Sequence, residues 1–204
     1  VKLCPLPPPT SENALGETTP STATQSAINQ ENGIALLGST PVGEGKKASP
    51  YLISSAEELA WFRDQVNSGQ NEICARLTAD IDLQNQEWEP IGKGEHTCYS
   101  GTFDGSYYTI SNIKLMPNTG ASDWRGLFGY IYGGTVTKLN IQAEDFGPRT
   151  EGKKLFYSGL LAGENSGGDI SLCSATIKYI NNVEDVSLLV YRNTGNIKNC
   201  YAFL

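Results

Sequence analysis

The stretch GLFGYIYGGTVTKLNI at residues 126–141 is echoed by GLLAGENSGGDISLCSAT at 159–176 and by SLLVYRNTGNIKNCYAF at 187–203. Recurrence of a whole phrase decides the architecture before any single residue does. Each copy opens on a small residue and an apolar pair, crosses a turn of Gly, Asn or Ser, and re-enters an alternating apolar stretch, which reads as strand, turn, strand. A degenerate copy precedes them, because Ile110, Ile113 and Leu115 have the same offsets as Val136, Leu139 and Ile141. From Ile110 to Val136, Ile170 and Ile197 the steps are 26, 34 and 27 residues.

A unit this short cannot bury its apolar face alone, so copies must stack around a shared core. Apolar positions alternate and glycine recurs, whereas a helical repeat needs sustained 3.6-residue periodicity. The expected fold is therefore all-β: a right-handed parallel β-helix, one repeat per coil, with coils ~4.8 Å apart. Ile110, Val136, Ile170 and Ile197 are expected to form one core ladder, each contributing roughly 1.5–3 kcal/mol on burial.

The phrases GLFGYI and GGTVTKLNI, with LTADIDL at 77–83, WEPIG at 88–92 and GTFDGSYYTISNIKL at 101–115, resemble the GLUG-repeat proteins of bacterial surfaces. Similar repeats lie in the non-catalytic N-terminal region of immunoglobulin-A-cleaving zinc metalloproteases and in large adhesin-like proteins. The resemblance covers residues 51–204 and implies a β-helical, extracellular and mostly structural role. Two copies depart from the phrase: Ala162 stands for its second glycine and Ser187 for its first.

Residues 1–50 hold seven of the ten prolines and no aromatic residue, while all 19 aromatics fall between Tyr51 and Phe203. The chain thus divides into an extended arm, 1–50, and a β-helical domain, 51–204, with coils over about 73–204. The arm's one markedly apolar stretch, Ile34, Ala35, Leu36 and Leu37, follows the turn signal Asn32-Gly33 and is the expected docking strand of an assembly arm. In SSAEELAWFRDQVNSG, Ser55 and Glu58 form a capping box and Gly69 a stop, predicting a helix over about 55–67 with Leu59, Phe62 and Val66 on one face. Such a helix would cover the open N-terminal end of the core. Leu204 directly follows the last apolar strand, so either the chain is a fragment of a longer stalk or another molecule covers that end. A neighbour's arm doing so would give an open fibre.

The net charge of −7 and pI near 4.8 argue against nucleic acid as a partner. No apolar run is long enough to span a membrane. The start at Val1, with no leader or tag, suggests a mature, processed chain. Five cysteines leave at least one thiol free or paired between chains. Cys173 and Cys200 occupy one ladder position on successive coils, at a spacing a disulfide permits, or else they are two stacked reduced thiols. Cys74 and Cys98 could also bridge. Cys4, in VKLC, lacks the small residues that precede a lipid-modified cysteine.

Asp80 and Asp82 project from one strand face ~6.6 Å apart, a separation that could serve an inverting glycosidase. Without a dry pocket for one of them, solvated strand positions or turn acceptors explain them better. With Asn85 they could contribute to a calcium site, although six oxygens are not in sight. Asp104-Gly105 suits a type I′ turn. His96 is the sole histidine, leaving neither a zinc-protease motif nor a Ser-His-Asp triad. Lys93 and Arg125 could support a lyase, but no basic cluster marks a groove. Trp88, Trp124, Tyr107 and Tyr108 could stack on glycans if they lie outward together. Gly133-Gly134 and Gly167-Gly168 do turn duty, with no helix behind them to hold phosphate. The expectation is a non-catalytic extracellular protein, secreted or at the cell surface, with no cofactor or metal. Its partner would be itself or another surface protein, and the alternative is a glycan-binding or glycan-active β-helix.

Overall fold

A computed structural model describes residues 40–118, 123–148, 155 and 157–204. Ile34, Ala35, Leu36 and Leu37 lie outside the described residues.

Among the described residues the chain is all-β apart from one helix, and its strands come from successive layers that pair in parallel. The first sheet takes Tyr51–Ile53, Ala75–Leu77, Thr102–Asp104, Thr135–Thr137, Asp169–Ser171 and Asn196–Lys198 in sequence order. The second takes Ile81–Asp82, Thr109–Ser111, Asn140–Phe146, Ser174–Ile180 and Tyr201–Phe203. A third stacks Phe128–Tyr132, Ala162–Ser166 and Val190–Asn193. From Phe128 on, each layer contributes one strand to each of these sheets before the next begins above it, and the parallel sheets fit a β-helix.

Val136, Ile170 and Ile197 are direct cross-strand partners. The residue beneath Val136 is Phe103, not Ile110. Ile110 belongs to the second sheet, in a column running Ile81, Ile110, Ile141, Ala175 and Ala202. The expected ladder is corrected accordingly. Its cause is a shared local device: Asn112 and Lys138 both adopt left-handed backbone, with φ of 54° and 52°. Each turns the chain through a corner and sets apolar groups inward before it and at the first and third places after it. Ile110 opens the corner that leaves the second sheet; Val136 opens the one that enters it. Identical spacing thus marks two different corners.

Lys138, Leu172 and Asn199 occupy one corner in three layers, all near φ 50–55°. Left-handed backbone costs a residue bearing a Cβ roughly 1–2 kcal/mol, and asparagine tolerates it better than leucine. Leu172→Asn is expected to stabilise by about 1 kcal/mol, raising Tm by about 2–4 °C. A melt that moves downward instead would mean that the half-exposed Leu172 side chain contributes more than its backbone strain costs.

Glycine serves close approach in a second column. Gly101, Gly134, Gly168 and Gly195 stack, and a Cβ on Gly168 would lie 2.6 Å from Gly134 O. The phrase's second glycine is also relocated. Because Ala162 pairs with Phe128, Gly163 takes the place opposite Gly129, and the 159–163 segment has one extra residue rather than a substitution. Asp104-Gly105 does not itself form a two-residue hairpin turn. Ser106 and Tyr107 carry the positive φ values of 49° and 66°, Tyr108 N–H donates to Gly105 O at 2.8 Å, and Asp104 Oδ1 caps Ser106 N–H at 2.9 Å.

The helix spans Ala56–Asn67. Ser55 Oγ accepts from Glu58 N–H at 3.3 Å, while the Glu58 carboxylate accepts from Ser54 N–H at 2.6 Å, a capping box displaced by one residue. Leu59, Phe62 and Val66 are fully buried, and Phe62 meets Tyr99 and Phe103 at 6.0 and 5.8 Å between ring centroids. Phe128 completes this cluster, 5.2 Å from Tyr99 and 5.5 Å from Phe103. Asn67 at the helix end closes an open strand edge with its side chain: Nδ2 donates to Pro90 O at 3.0 Å and Oδ1 accepts from Gly92 N–H at 2.8 Å. Val42 covers the edge of Tyr51–Ile53 by antiparallel pairing, and Cys74 N–H donates to Gly45 O at 2.7 Å. Of the residues assigned to the arm, 42–50 therefore pack on the first layer. At the other end Ile197, Tyr201 and Phe203 are 37–56% exposed.

Candidate functional site

Of the two readings for Cys173 and Cys200, the stacked reduced thiols are the one found. Cys74, Cys173 and Cys200 are free thiols, and Cys98 is disulfide-bonded. Neither Cys173–Cys200 nor Cys74–Cys98 is a bridge. Cys200 Sγ instead accepts from Cys173 N–H at 3.4 Å, and Cys173 Sγ turns to Ser171 O at 3.2 Å. Cys173 is fully buried, and burial pushes its thiol up to about 12. Since the thiolate is the nucleophile, Cys173 is expected to escape iodoacetamide at pH 8 in the folded protein and to react after unfolding. Peptide mass mapping reads the difference, and labelling of Cys173 in the native state would contradict the packing.

Asp80 and Asp82 are acceptors between layers. Asp80 Oδ1 takes Thr109 N–H at 2.7 Å, whereas Asp82 Oδ1 takes Gln84 N–H and Asn112 Nδ2, each at 2.8 Å. The bond from Asn112, then that from Gln84 N–H, holds the Asp82 carboxyl below its usual range. A solvated, ionised acceptor of this kind is poorly suited to donate a proton as a glycosidase acid must. Lys93 pairs with exposed Glu89 at 2.5 Å, and Arg125 with Asp123 at 3.0 Å. Trp88 is buried, its Nε1 donating to Leu127 O at 3.1 Å, while Tyr107 is 61% exposed beside Lys138. The four candidate sugar-stacking aromatics therefore do not converge. Among the described residues no group of three or more His, Cys, Asp or Glu is placed to hold a metal ion. Among the same residues no helix is long and apolar enough to cross a membrane.

Two features were not singled out from sequence. A cleft of about 880 Å³ beside the first layers is lined by Lys46, Lys47, Gln70, Ile73, Thr102 and Tyr132 among others, a wall of mixed polar and apolar character. The second is a charged column on the outside of the third sheet, where Tyr130, Glu164 and Arg192 are successive partners. The Glu164 side chain is 7% exposed, with Arg192 Nη1 at 3.7 Å. Burial raises the Glu164 carboxyl; Arg192 draws it back and Glu95 pushes it further up. Only the register reveals this glutamate as buried, because its neighbours Asn165 and Ser166 read as a polar turn.

A carboxyl that holds its proton more tightly folded than unfolded contributes stability that is complete below the unfolded value and is lost as pH rises through the folded one. The contribution of Glu164 to stability is therefore expected to fall as pH climbs from about 4.5 toward neutrality, opposite in sense to that of Asp82, and Glu164→Gln should remove it and make the slope of stability with pH more positive. Urea midpoints at pH 4 and pH 7 test it. An unchanged slope in the variant would locate the titration elsewhere.

No protein-family model matches the chain. Among curated relatives, a protein of Evansella cellulosilytica provisionally named a Gly-rich membrane protein is 32% identical over 106 residues, 50% of this chain and 12% of that protein. Halomucin of Haloquadratum walsbyi is 30% identical over 150 residues, 68% of this chain and 2% of halomucin. The chain thus spans a small fraction of the length of either relative. A crystal structure of a protein provisionally named an immunoglobulin A1 protease, from Bacteroides ovatus, shares 18% identity over 78% of this chain and 77% of that one, with a TM-score of 0.42.

Proposed function

We propose that this chain is a non-catalytic module of an extracellular cell-surface protein, built as a right-handed parallel β-helix and serving as a fibre subunit or adhesin module. The observation that carries this reading is the column Val136, Ile170, Ile197. Its first two members are buried completely or nearly so, while the third is 37% exposed with the outer edge of Asn196–Lys198 beside it. Such an edge is a template for another strand, be it the next layer of a longer chain or an arm donated by a neighbour. The opposite end is occupied by the helix and by Val42, which favours donation of an arm over end-on stacking. Ile34 to Leu37 of a neighbouring copy are the proposed donor strand. Two long relatives, one named a membrane protein and one named halomucin, support a surface setting.

Ile34→Asp together with Leu36→Asp, which leaves every cysteine in place, should leave the melting transition unchanged and abolish assembly seen by sedimentation and electron microscopy. Fibres from this variant would refute the arm mechanism. A full-length chain that stays monomeric at all concentrations, and antibody that fails to label intact cells, would remove the surface-fibre reading as a whole.

A further inference from the structure

Three aromatic rings from successive layers meet on the outer surface beside the third sheet. Trp124 lies 6.2 Å from both Tyr157 and Tyr191, and the two tyrosines are 5.6 Å apart, centroid to centroid, with interplanar angles of 37–53°. All three are partly exposed. The floor is made flat by glycine: a Cβ on Gly163 would sit 2.7 Å from Trp124 Cβ, so any side chain there would lift the indole away.

The backbone of this face is already committed between layers. Tyr157 N–H donates to Asp185 O at 3.0 Å, Gly159 N–H to Arg125 O at 3.1 Å and Leu161 N–H to Leu189 O at 2.9 Å. Between these layers a peptide finds no strand edge to join, and a ligand lying across the three rings is held by ring faces and side-chain polar groups. Those polar groups are of both signs. Arg192, 60% exposed, follows Tyr191 and stands 3.7 Å from Glu164, beyond hydrogen-bond reach. Asp185 is close enough to raise the Tyr191 phenol, after the larger effect of burial. Arg125 and Asp123 neutralise one another nearby at 3.0 Å. Flat apolar faces bordered by balanced donors and acceptors match an uncharged molecule with C–H faces and a hydroxyl rim, which is the chemistry of a neutral sugar chain.

We propose that Trp124, Tyr157 and Tyr191 form a platform for an uncharged oligosaccharide, whose sugar faces stack across the rings and whose hydroxyls meet Arg192 and Asp185. The site belongs to one copy of the chain and stands whether or not the chain assembles into fibres.

The full chain is titrated with cellotetraose, chitotetraose, mannotetraose and maltotetraose, and with oligogalacturonate as a charged comparator, using calorimetry and tryptophan fluorescence. At least one neutral tetrasaccharide should bind saturably and alter the fluorescence. Trp124→Phe should remove most of that optical signal while calorimetry still detects binding, because Trp61 and Trp88 lie elsewhere. Tyr191→Ala should weaken affinity about tenfold or more, with an unchanged melting curve; Tyr191→Leu replaces it should the alanine variant melt early. Absence of heat and signal for all four neutral sugars at millimolar concentration overturns the proposal. So does wild-type affinity in both Tyr191 variants, or binding of oligogalacturonate alone.

Discussion

Phe128→Ala is expected to destabilise the protein by about 3–5 kcal/mol, lowering Tm by about 10 °C or more. The ring is fully buried and touches the two aromatics that also hold the helix, Tyr99 and Phe103. Its loss removes transfer energy and leaves a cavity that the layers cannot close, because their spacing is fixed by main-chain hydrogen bonds above and below. The consequence should spread to the helix, whose Phe62 packs on the same pair of rings. Tyr179→Ala provides the comparison: that ring is 48% exposed, and its loss should cost under about 1 kcal/mol. Equal effects of the two substitutions in thermal melts would mean that the aromatic cluster is not the core's main anchor.

Gly101→Ala should be comparably damaging for the opposite reason, overpacking. A methyl there would overlap Ile73 O and lie 2.9 Å from Glu72 O, both rigid main-chain atoms of the preceding layer. Such insertions cost roughly 1–3 kcal/mol, and the upper end applies because no side chain can swing aside. The same backbone carries the register, since Thr135 N–H donates to Gly101 O at 2.8 Å in the layer above. Gly94→Ala meets nothing within 4 Å and should fall within about 0.5 kcal/mol of the parent. Circular dichroism melts of the two variants distinguish the cases. A neutral Gly101→Ala would mean that the layers slide apart freely at this point.

The repeated phrases made the parallel stacking legible, and alternation within TVTKLNI gave the inward residues of its layer correctly. Ser55, Glu58 and the Leu59, Phe62, Val66 face likewise predicted the helix, because capping and periodicity are local. The misplacement of Ile110 has a different origin. Spacing encodes a left-handed corner, but a layer contains more than one such corner, and only pairing with the next layer tells which is which. The two readings of Cys173 and Cys200, bridge or stacked reduced thiols, stayed open for a related reason, and the reduced pair is the one found. Register brought Cys173 and Cys200 into one column, whereas side-chain direction turned each sulfur toward a carbonyl. Glu164, Tyr157 and Tyr191 were illegible because their significance arises only when three distant segments are laid over one another.

Ile110 stands seven positions after Phe103, whereas Ile141, Ala175 and Ala202 stand five after Val136, Ile170 and Ile197, yet every one of these residues keeps its cross-strand partner. Insertions are absorbed outside the paired strands, as with the excursion between Gly92 and Tyr99. Selection can thus lengthen and diversify the outward spans while the hydrogen-bonded frame stays still. A foreign epitope spliced into such a span should be displayed without disturbing the interior.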